Sequence, residues 1–546
     1  MTMAAPLETD EVLNQPPPLV DYDLFGTDRA LQEAVAREGA GWALDELGRF
    51  GRKLGQAETI EAGRLANAYP PVPRLFDRYG RRIDEVEFHP AWHELMGLAI
   101  GEGLHTRPWA EPKPGAHVAR AAGVIMMVQI EAGVQCPTTM TYGVVPALKK
   151  APAIAAEWLP RLYSRQYDKR LIPSAQKTGV LMGMGMTEKQ GGSDLRANMT
   201  RATPAGDAYR LDGHKWFFSA PMCDAFLVLA QAPGGLSCFF LPRFLPDGSR
   251  NALHVQRLKD KLGNKANASS EVEFHGATAW LVGEEGRGVP TIIEMGNYTR
   301  LDCALGSTGL MRQAVAQASH HAAHRSAFQK RLIDQPLMTN VLADLAIESE
   351  AATALVLRLA RAYDALEDPA ETAFRRMLTP AAKYWICKRG PALGAEAMEV
   401  LGGNGYVEEA IMARLYRELP LNSIWEGSGN VMCLDVLRAL AKTPEALDVA
   451  LAEIQAARGA DRRLDAHVTA LTDEVARDGF QESQARRLVE RLVLALQGAL
   501  LVRHGDTAVA DGFCASRLAS SQSGAFGTLP HGIDIRAIAE RTRPAI

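Results

Sequence analysis

The chain has 546 residues, room for about three or four domains of ordinary size. Hydrophobic residues make up 47% and the formal net charge is −4, so large cores can form and bulk charge favours neither nucleic acid nor membrane; either partner needs a local patch. The seven cysteines (Cys136, Cys223, Cys238, Cys303, Cys387, Cys433, Cys514) are scattered with no CxxC pair, which reads as buried thiols and not as a metal or disulfide framework.

Met1–Asp10 has no basic start and no apolar core, so it is not read as a signal peptide. Pro16-Pro17-Pro18 predicts an extended arm. From about Asp28 to Arg170 the pattern is helical; Arg29 to Arg49 is amphipathic, and Ala116 to Ala132 reads as a largely buried helix. The apolar run Val124–Val128 is far short of the roughly 20 residues that span a bilayer, so a soluble, cytoplasmic protein is expected. Near Gly179 the period changes to two. Phe226–Ala230, Ser237–Leu241 and Glu271–Phe274 are short runs split by Pro-Gly-Gly, Asp-Gly and Gly-Asn, the signature of an antiparallel β domain. It closes near Gly286-Arg287-Gly288. Helical patterns then run from Val289 to about Leu440, broken at Asp334-Gln335-Pro336 and at Gly402-Gly403-Asn404-Gly405. Lys442-Thr443-Pro444 marks a last boundary, and the helical stretch beyond it contains arginine but no lysine. The expected organisation is α+β and multidomain: 1–178 helical with an arm, 179–288 β, 289–441 helical, 442–546 an extra helical domain.

Three stretches carry chemistry. Met184-Gly185-Met186-Thr187-Glu188-Lys189-Gln190-Gly191-Gly192-Ser193-Asp194 is a Gly-rich turn whose N–H groups and hydroxyls suit a ring carbonyl and a phosphate together. His214-Lys215-Trp216-Phe217-Phe218-Ser219 follows; alone, its aromatics would read as sheet core. In Ser423-Ile424-Trp425-Glu426-Gly427-Ser428-Gly429-Asn430, Glu426 is a candidate base, since a dry pocket raises a carboxylate toward neutrality, and equally a carboxylate that a helix N-terminus favours. Gly402-Gly403 by itself reads as a helix C-cap.

In this order and spacing the motifs resemble the acyl-CoA dehydrogenase family over roughly Asp28 to Leu440. The resemblance implies FAD. Met186, Thr187 and Gly192 would meet the flavin and Ser193 its phosphates; Ser219 would donate to the flavin N5, with Phe217 and Phe218 beside it. Arg325 and Phe328, in an R-x-x-F segment, would contact a neighbouring subunit's cofactor in a homotetramer, and a guanidinium fork suits a pyrophosphate. Gly402 and Gly403 would approach the adenosine end, with Glu399 where the family has Gln. Glu426 would remove a proton α to a thioester carbonyl, Trp425 would narrow the acyl pocket, and Gly427, Ser428 and Asn430 would follow the cofactor. Arg300 and Arg438 would meet substrate, although Asn297 replaces the family's coenzyme A-binding Asp. No metal is implied.

The extension past Leu440, with these motifs, resembles the alkylation-response flavoproteins of that family. That resemblance implies double-stranded DNA binding without sequence preference, through Arg486, Arg487, Arg491, Arg503 and Arg517, and weak acyl-CoA dehydrogenase activity on an unknown physiological substrate. The residues alone leave a mixed acid–base surface open, because Glu482 and Glu490 lie among them. A genuine short- or branched-chain acyl-CoA dehydrogenase and a DNA-coating protein with structural FAD are the alternatives.

Overall fold

A computed structural model describes residues 12–519 and 524–544. Met1–Asp10, read above as no signal peptide, lies outside the described residues. The expected buried helix runs Ala116–Ile130, and all of its side chains are buried. It starts after Gly115 (φ 77°), where a Cβ would meet the Gly39 carbonyl oxygen at 2.4 Å, so only glycine fits that approach. It packs on the helices Gly288–His324 and Pro336–Asp364. Arg120 pairs with Asp302 through both guanidinium nitrogens at 2.7 and 2.6 Å, and Thr139 donates to the same carboxylate at 2.5 Å. Together these bonds join three helices inside the core.

One feature of the first helical region is absent from the sequence reading. Val72–Phe76 and Arg82–Glu87 form an antiparallel hairpin about the Asp77–Gly80 turn, where Asp77 accepts from the Tyr79 and Arg81 amides. In the structure exposure alternates along Val72–Phe76, and the available sequence signal was the Asp77–Gly80 turn between two short runs.

The β region forms one sheet in the order Met182–Gly185, Ala225–Ala232, Arg201–Ala205, Ala208–Ser219, Ser269–Val282, Gly235–Pro242, with Leu253–Leu258 added to Ser269–Val282. Ala225–Ala232 also pairs with Gly235–Pro242, so the sheet closes on itself. Most pairings are antiparallel, as expected, but Met182–Gly185 runs parallel to Ala225–Ala232. Parallel neighbours need a long crossover. Here the crossover contains the Gly-rich turn and the Arg201–Ser219 hairpin, and the Trp216 amide of the hairpin donates to the Thr187 carbonyl of the turn.

Beyond Lys442 the chain folds as helices Glu445–Gln455, Arg462–Asp478, Ala485–His504, Thr507–Phe513 and Ile535–Arg541. Ala485–His504 buries Leu492–Leu501 against Pro336–Asp364 and Pro369–Val400. Arg517 reaches Asp344 at 2.5 Å and Glu348 at 3.1 Å, and Arg541 reaches Glu350 at 3.0 Å and Glu33 at 2.5 Å. All seven cysteines are buried and free. Among the described residues no helix is long and apolar enough to cross a membrane, and no cluster of metal-ligating side chains occurs.

At the end of the helix Ile411–Glu418, Glu418 is buried and accepts from the Asn264 amide at 2.7 Å. Burial and nearby Glu131 push its carboxyl up to about 7. Between the ordinary carboxylate range and that value the folded chain holds a proton that the unfolded chain has lost, so this group's contribution to stability is lost as pH rises through the window. Glu418→Gln is expected to stabilise the protein by about 1–3 kcal/mol at about pH 8 and to change little near pH 4. Urea unfolding at the two pH values checks this; equal effects at both would refute it.

Candidate functional site

The Gly-rich turn is pinned by an ion pair with no exposure on either side chain: Lys215 Nζ to Glu188 Oε1, 2.6 Å. Glu188 also accepts from the Thr200 hydroxyl and the Met199 amide at 2.6 Å each, and Lys215 donates to the Leu229 carbonyl at 2.8 Å. Burial pushes the Glu188 carboxyl up, but the Lys215 ammonium and these donors outweigh it and hold the group well below the usual range. The turn thereby lies against the next strand, where the Trp216 amide donates to the Thr187 carbonyl at 2.9 Å. A Cβ at Gly192 would meet Thr187 Oγ1 at 2.4 Å, so this turn tolerates nothing larger there. The Thr187 hydroxyl is half-buried, the Ser193 hydroxyl is exposed, and neither donates to a protein group among the described residues. Met186 is half-buried beside them, and its carbonyl accepts from Asn198 at 2.9 Å.

The strand register is irregular between Lys215 and Phe218. Phe217 turns outward, 53% exposed, and Ser219 is half-buried on the same cleft. Phe218 does not share it. That ring is fully buried, 4.3 Å from the Phe226 ring centroid and packed over Gly185, so it is core and not a cofactor contact as expected. Trp216 lies under the Lys259 ammonium, 3.4 Å from its ring centroid.

Glu426 comes from a loop with backbone in the left-handed region (φ 58°), followed by Gly427 at φ 107°. A non-glycine residue there carries strain of about 1–3 kcal/mol that its surroundings must hold. Three consecutive carbonyls are gripped from outside. Lys383 Nζ donates to Trp425 O at 2.6 Å and to Gly427 O, and Arg300 Nε donates to Glu426 O at 3.1 Å. Arg300 is anchored on Asp435 at 2.8 Å, and Arg376 holds the same carboxylate at 2.9 Å. The Trp425 indole is fixed by Asn422 at 2.8 Å. Arg300 was expected to meet substrate; its buried guanidinium is spent instead on the loop and Asp435. Arg438 is exposed, and its charge helps keep Asp435 ionised.

The Glu426 carboxyl is half-buried, and Thr299 Oγ1 donates to its Oε2 at 2.6 Å. Burial raises its pKa, against the lowering pull of Thr299, Lys383 and Arg300. Its Oε1 makes no hydrogen bond among the described residues. Cys136, on the helix Gln135–Leu148, is buried; burial pushes its thiol up to about 11, and the Glu426 charge adds to that while Ser219 opposes it. Ser428 caps the helix Gly429–Lys442 without a side-chain bond, leaving its hydroxyl and the first amides unused. Unused hydroxyls at Thr187, Ser193 and Ser428, an exposed Phe217 ring and glycines at the close approaches fit a flavin with its phosphates.

A second locus is separate. Arg325 donates to the Asn14 carbonyl at 2.6 Å, the Ser326 amide to Asn14 Oδ1 at 2.7 Å, and Asn404 to Gln15 Oε1 at 3.1 Å. The arm thus brings the Arg325–Phe328 and Gly402–Gly403 stretches together. Phe328 is 92% exposed, and among the described residues no hydrogen bond links this locus to Thr187 or Glu426.

The C-terminal arginines do not form one bare face. Arg487 donates to Glu474 at 3.0 Å, Arg491 pairs with the same carboxylate, and Arg503 reaches Glu453 at 3.0 Å. Arg517, largely buried in its pairs with Asp344 and Glu348, is structural and does not offer its charge to a phosphate as expected. Arg486 Nε instead donates to Asn430 Oδ1 at 2.8 Å. Sequence reasoning missed Glu188, Lys215, Thr299, Lys383 and Asp435; the Gly-x-Lys spacing ahead of the aromatic strand was a signal for Lys215, and the others carry none.

Residues 14–169 match the family described as "Adaptive response protein AidB N-terminal domain", 183–277 "Acyl-CoA dehydrogenase, middle domain", and 286–441 "Acyl-CoA dehydrogenase, C-terminal domain". The chain is 51% identical over 510 residues to AidB of Escherichia coli (strain K12), covering 93% of this chain and 94% of that one. It is 30% identical over 536 residues to acyl-CoA dehydrogenase family member 11 of Caenorhabditis elegans, covering 89% and 84%. Among solved structures it resembles C. elegans ACDH-11 in complex with C11-CoA, with a TM-score of 0.85 and 26% identity over 96% of this chain and 97% of that one. It also resembles the apo form of Bd2924, with a TM-score of 0.82 and 30% identity over 90% and 99%.

Proposed function

Because this chain belongs to the acyl-CoA dehydrogenase family, an oxidoreductase with FAD as its cofactor, we propose that it is a flavoprotein of the adaptive response to DNA alkylation. In this reading it binds double-stranded DNA, inactivates alkylating agents, and retains weak acyl-CoA dehydrogenase activity. The similarity to AidB along nearly the whole chain, with a match to the adaptive-response N-terminal domain, supports it.

The observation that supports the chemistry is the braced Glu426 carboxyl, with Thr299 on one oxygen and Lys383 and Arg300 on the loop carbonyls around it. FAD, when bound, supplies the hydride acceptor. Thr187, Ser193 and Ser428 have the hydroxyls to hold it, and Ser219 has a donor for the flavin N5. Glu426 takes a proton from carbon α to an activated carbonyl onto its free oxygen, while Thr299 holds the other. The raised carboxyl makes Glu426 a stronger base than an exposed glutamate would be. Lys383 and Arg300 keep the strained loop from relaxing as charge moves. Titrating purified protein with acyl-CoA thioesters of graded chain length, without oxygen, tests this step; flavin colour that no thioester bleaches would exclude it.

DNA binding through Arg487 and Arg503 must displace their Glu474 and Glu453 pairs, and because phosphate contacts release counterions it is expected to weaken as salt rises. Fluorescence anisotropy on a labelled duplex should show affinity falling with salt. The neutral variants Arg487→Ala and Arg503→Ala should each weaken binding and lower the salt slope by about 1; binding unchanged in both would place the contact elsewhere. A homotetramer, in which Arg325 and Phe328 meet a neighbour's cofactor, is checked by light scattering. A genuine acyl-CoA dehydrogenase is the second reading, favoured by the likeness to a neighbour solved with C11-CoA.

A further inference from the structure

Asn430 and Arg486 belong to parts of the chain with different expected tasks, one to the cofactor and one to DNA, yet they touch at 2.8 Å. A guanidinium has donors only, so the Asn430 amide oxygen must face it. The Asn430 Nδ2 donors therefore point away from Arg486, and among the described residues they have no partner. Asn430 stands in the first turn of the helix Gly429–Lys442, directly after Ser428, whose hydroxyl is also unused. The same guanidinium lies over Gly429. A Cβ there would be 3.4 Å from Arg486 Nη2, 3.2 Å from Lys388 Cε and 3.3 Å from Tyr384 Cδ2. Arg486 also lies 5.8 Å from the Tyr384 ring centroid. It is thus seated on the loop that follows Glu426, while its neighbour Arg487 is turned to Glu474.

We infer that Arg486 is a cofactor-positioning residue supplied by the C-terminal helices. It fixes the Asn430 amide with its donor face toward the flavin cofactor and adds positive charge beside the helix N-terminus there. This inference rests on the FAD reading of the cleft. It has a linkage consequence. A DNA phosphate or other anion that draws Arg486 away from Asn430 must lower FAD affinity, and bound FAD must lower affinity for that anion by the same factor. Flavin and C-terminal ligand are antagonists through this one side chain.

The test is titration of apo-protein with FAD, read by quenching of flavin fluorescence, for the wild type, Arg486→Ala, Arg486→Lys, Asn430→Ala and the double variant Arg486→Ala/Asn430→Ala. Thermal midpoints of the apo-proteins establish that each is folded. Arg486→Ala should weaken FAD binding about tenfold, the loss of one hydrogen bond to a charged group. Arg486→Lys should fall between, because it keeps the charge but not the fork. The double variant should bind no more weakly than Asn430→Ala, since the two residues act as one unit. Arg486→Ala binding within twofold of wild type, or losses that simply add in the double variant, would overturn the inference. Should Arg486→Ala not fold, Arg486→Lys and Asn430→Ala decide: affinities equal to wild type in both refute it. A wild-type protein that takes up no FAD would instead refute the cofactor reading itself.

Discussion

Glu426→Gln is expected to lower the rate of thioester oxidation by about 10²–10⁴-fold while FAD stays bound. The replacement is nearly isosteric. The grip of Lys383 and Arg300 is on backbone carbonyls, so the strained loop should keep its shape, and the Thr299 hydroxyl can still donate to the amide oxygen. Only the proton-accepting capacity is removed. The pH dependence should change with it. A base acts when deprotonated, so wild-type turnover should rise with pH through a pKa above the ordinary glutamate range, the direction that burial imposes on Glu426. The variant's residual rate should lack that rise. Single-turnover flavin bleaching across a pH series measures both. A variant that bleaches at the wild-type rate would remove Glu426 from the reaction. A variant that loses turnover but still protects cells from alkylation would favour a structural FAD on a DNA-coating protein.

Lys215→Met should cost about 3–5 kcal/mol of stability and abolish tight flavin binding. Neither side chain of the Lys215–Glu188 pair reaches solvent, and removing the cation leaves Glu188 as an uncompensated buried charge. Thr200 and the Met199 amide would still donate to it, which is why unfolding of the domain is not the expected result. Flavin affinity suffers because this pair presses the Thr187–Ser193 turn against the aromatic strand. Lys215→Met/Glu188→Gln should recover part of the stability, since a neutral pair carries no buried charge. Denaturant unfolding and FAD titration of the three proteins decide it. A single variant less than about 1 kcal/mol below wild type, with normal flavin affinity, would mean that the turn is held by something else.

Much of this was legible before any coordinates. The change from helical to two-residue period near Gly179, and back near Gly288, needs only local chemistry, and the strands of the seven-stranded sheet and the long helices fall within those stretches. Turn residues announce themselves in the same way: Gly192 is required because the Thr187 hydroxyl occupies the space a Cβ would take. The Glu426 loop was recognisable because Ile424-Trp425-Glu426-Gly427-Ser428-Gly429-Asn430 resembles one short motif of the family. The Val72–Glu87 hairpin was overlooked, since the helical pattern on either side of it dominated the reading.

Side-chain facing was harder. Phe217 and Phe218 are adjacent aromatics with equal strand preference, and an irregular register decides that one meets the cleft and the other the core. Charges were hardest. Arg300, Arg486 and Arg517 look alike in sequence, as cations free to meet substrate or phosphate. One braces the base through Asp435, one orients Asn430, and one is held by Asp344 from 173 positions away.

The sequence by itself determined the order of the long helices and the main sheet, the Gly-rich turn, the family resemblance and the candidate base Glu426, because periodicity, turn chemistry and short motifs act over a few residues. Only the tertiary structure decided which arginines are committed, which aromatic is open, and that a C-terminal guanidinium reaches Asn430 on the loop after Glu426. An ion pair or a packed ring is defined by its partner, and the partner is chosen by how distant segments pack.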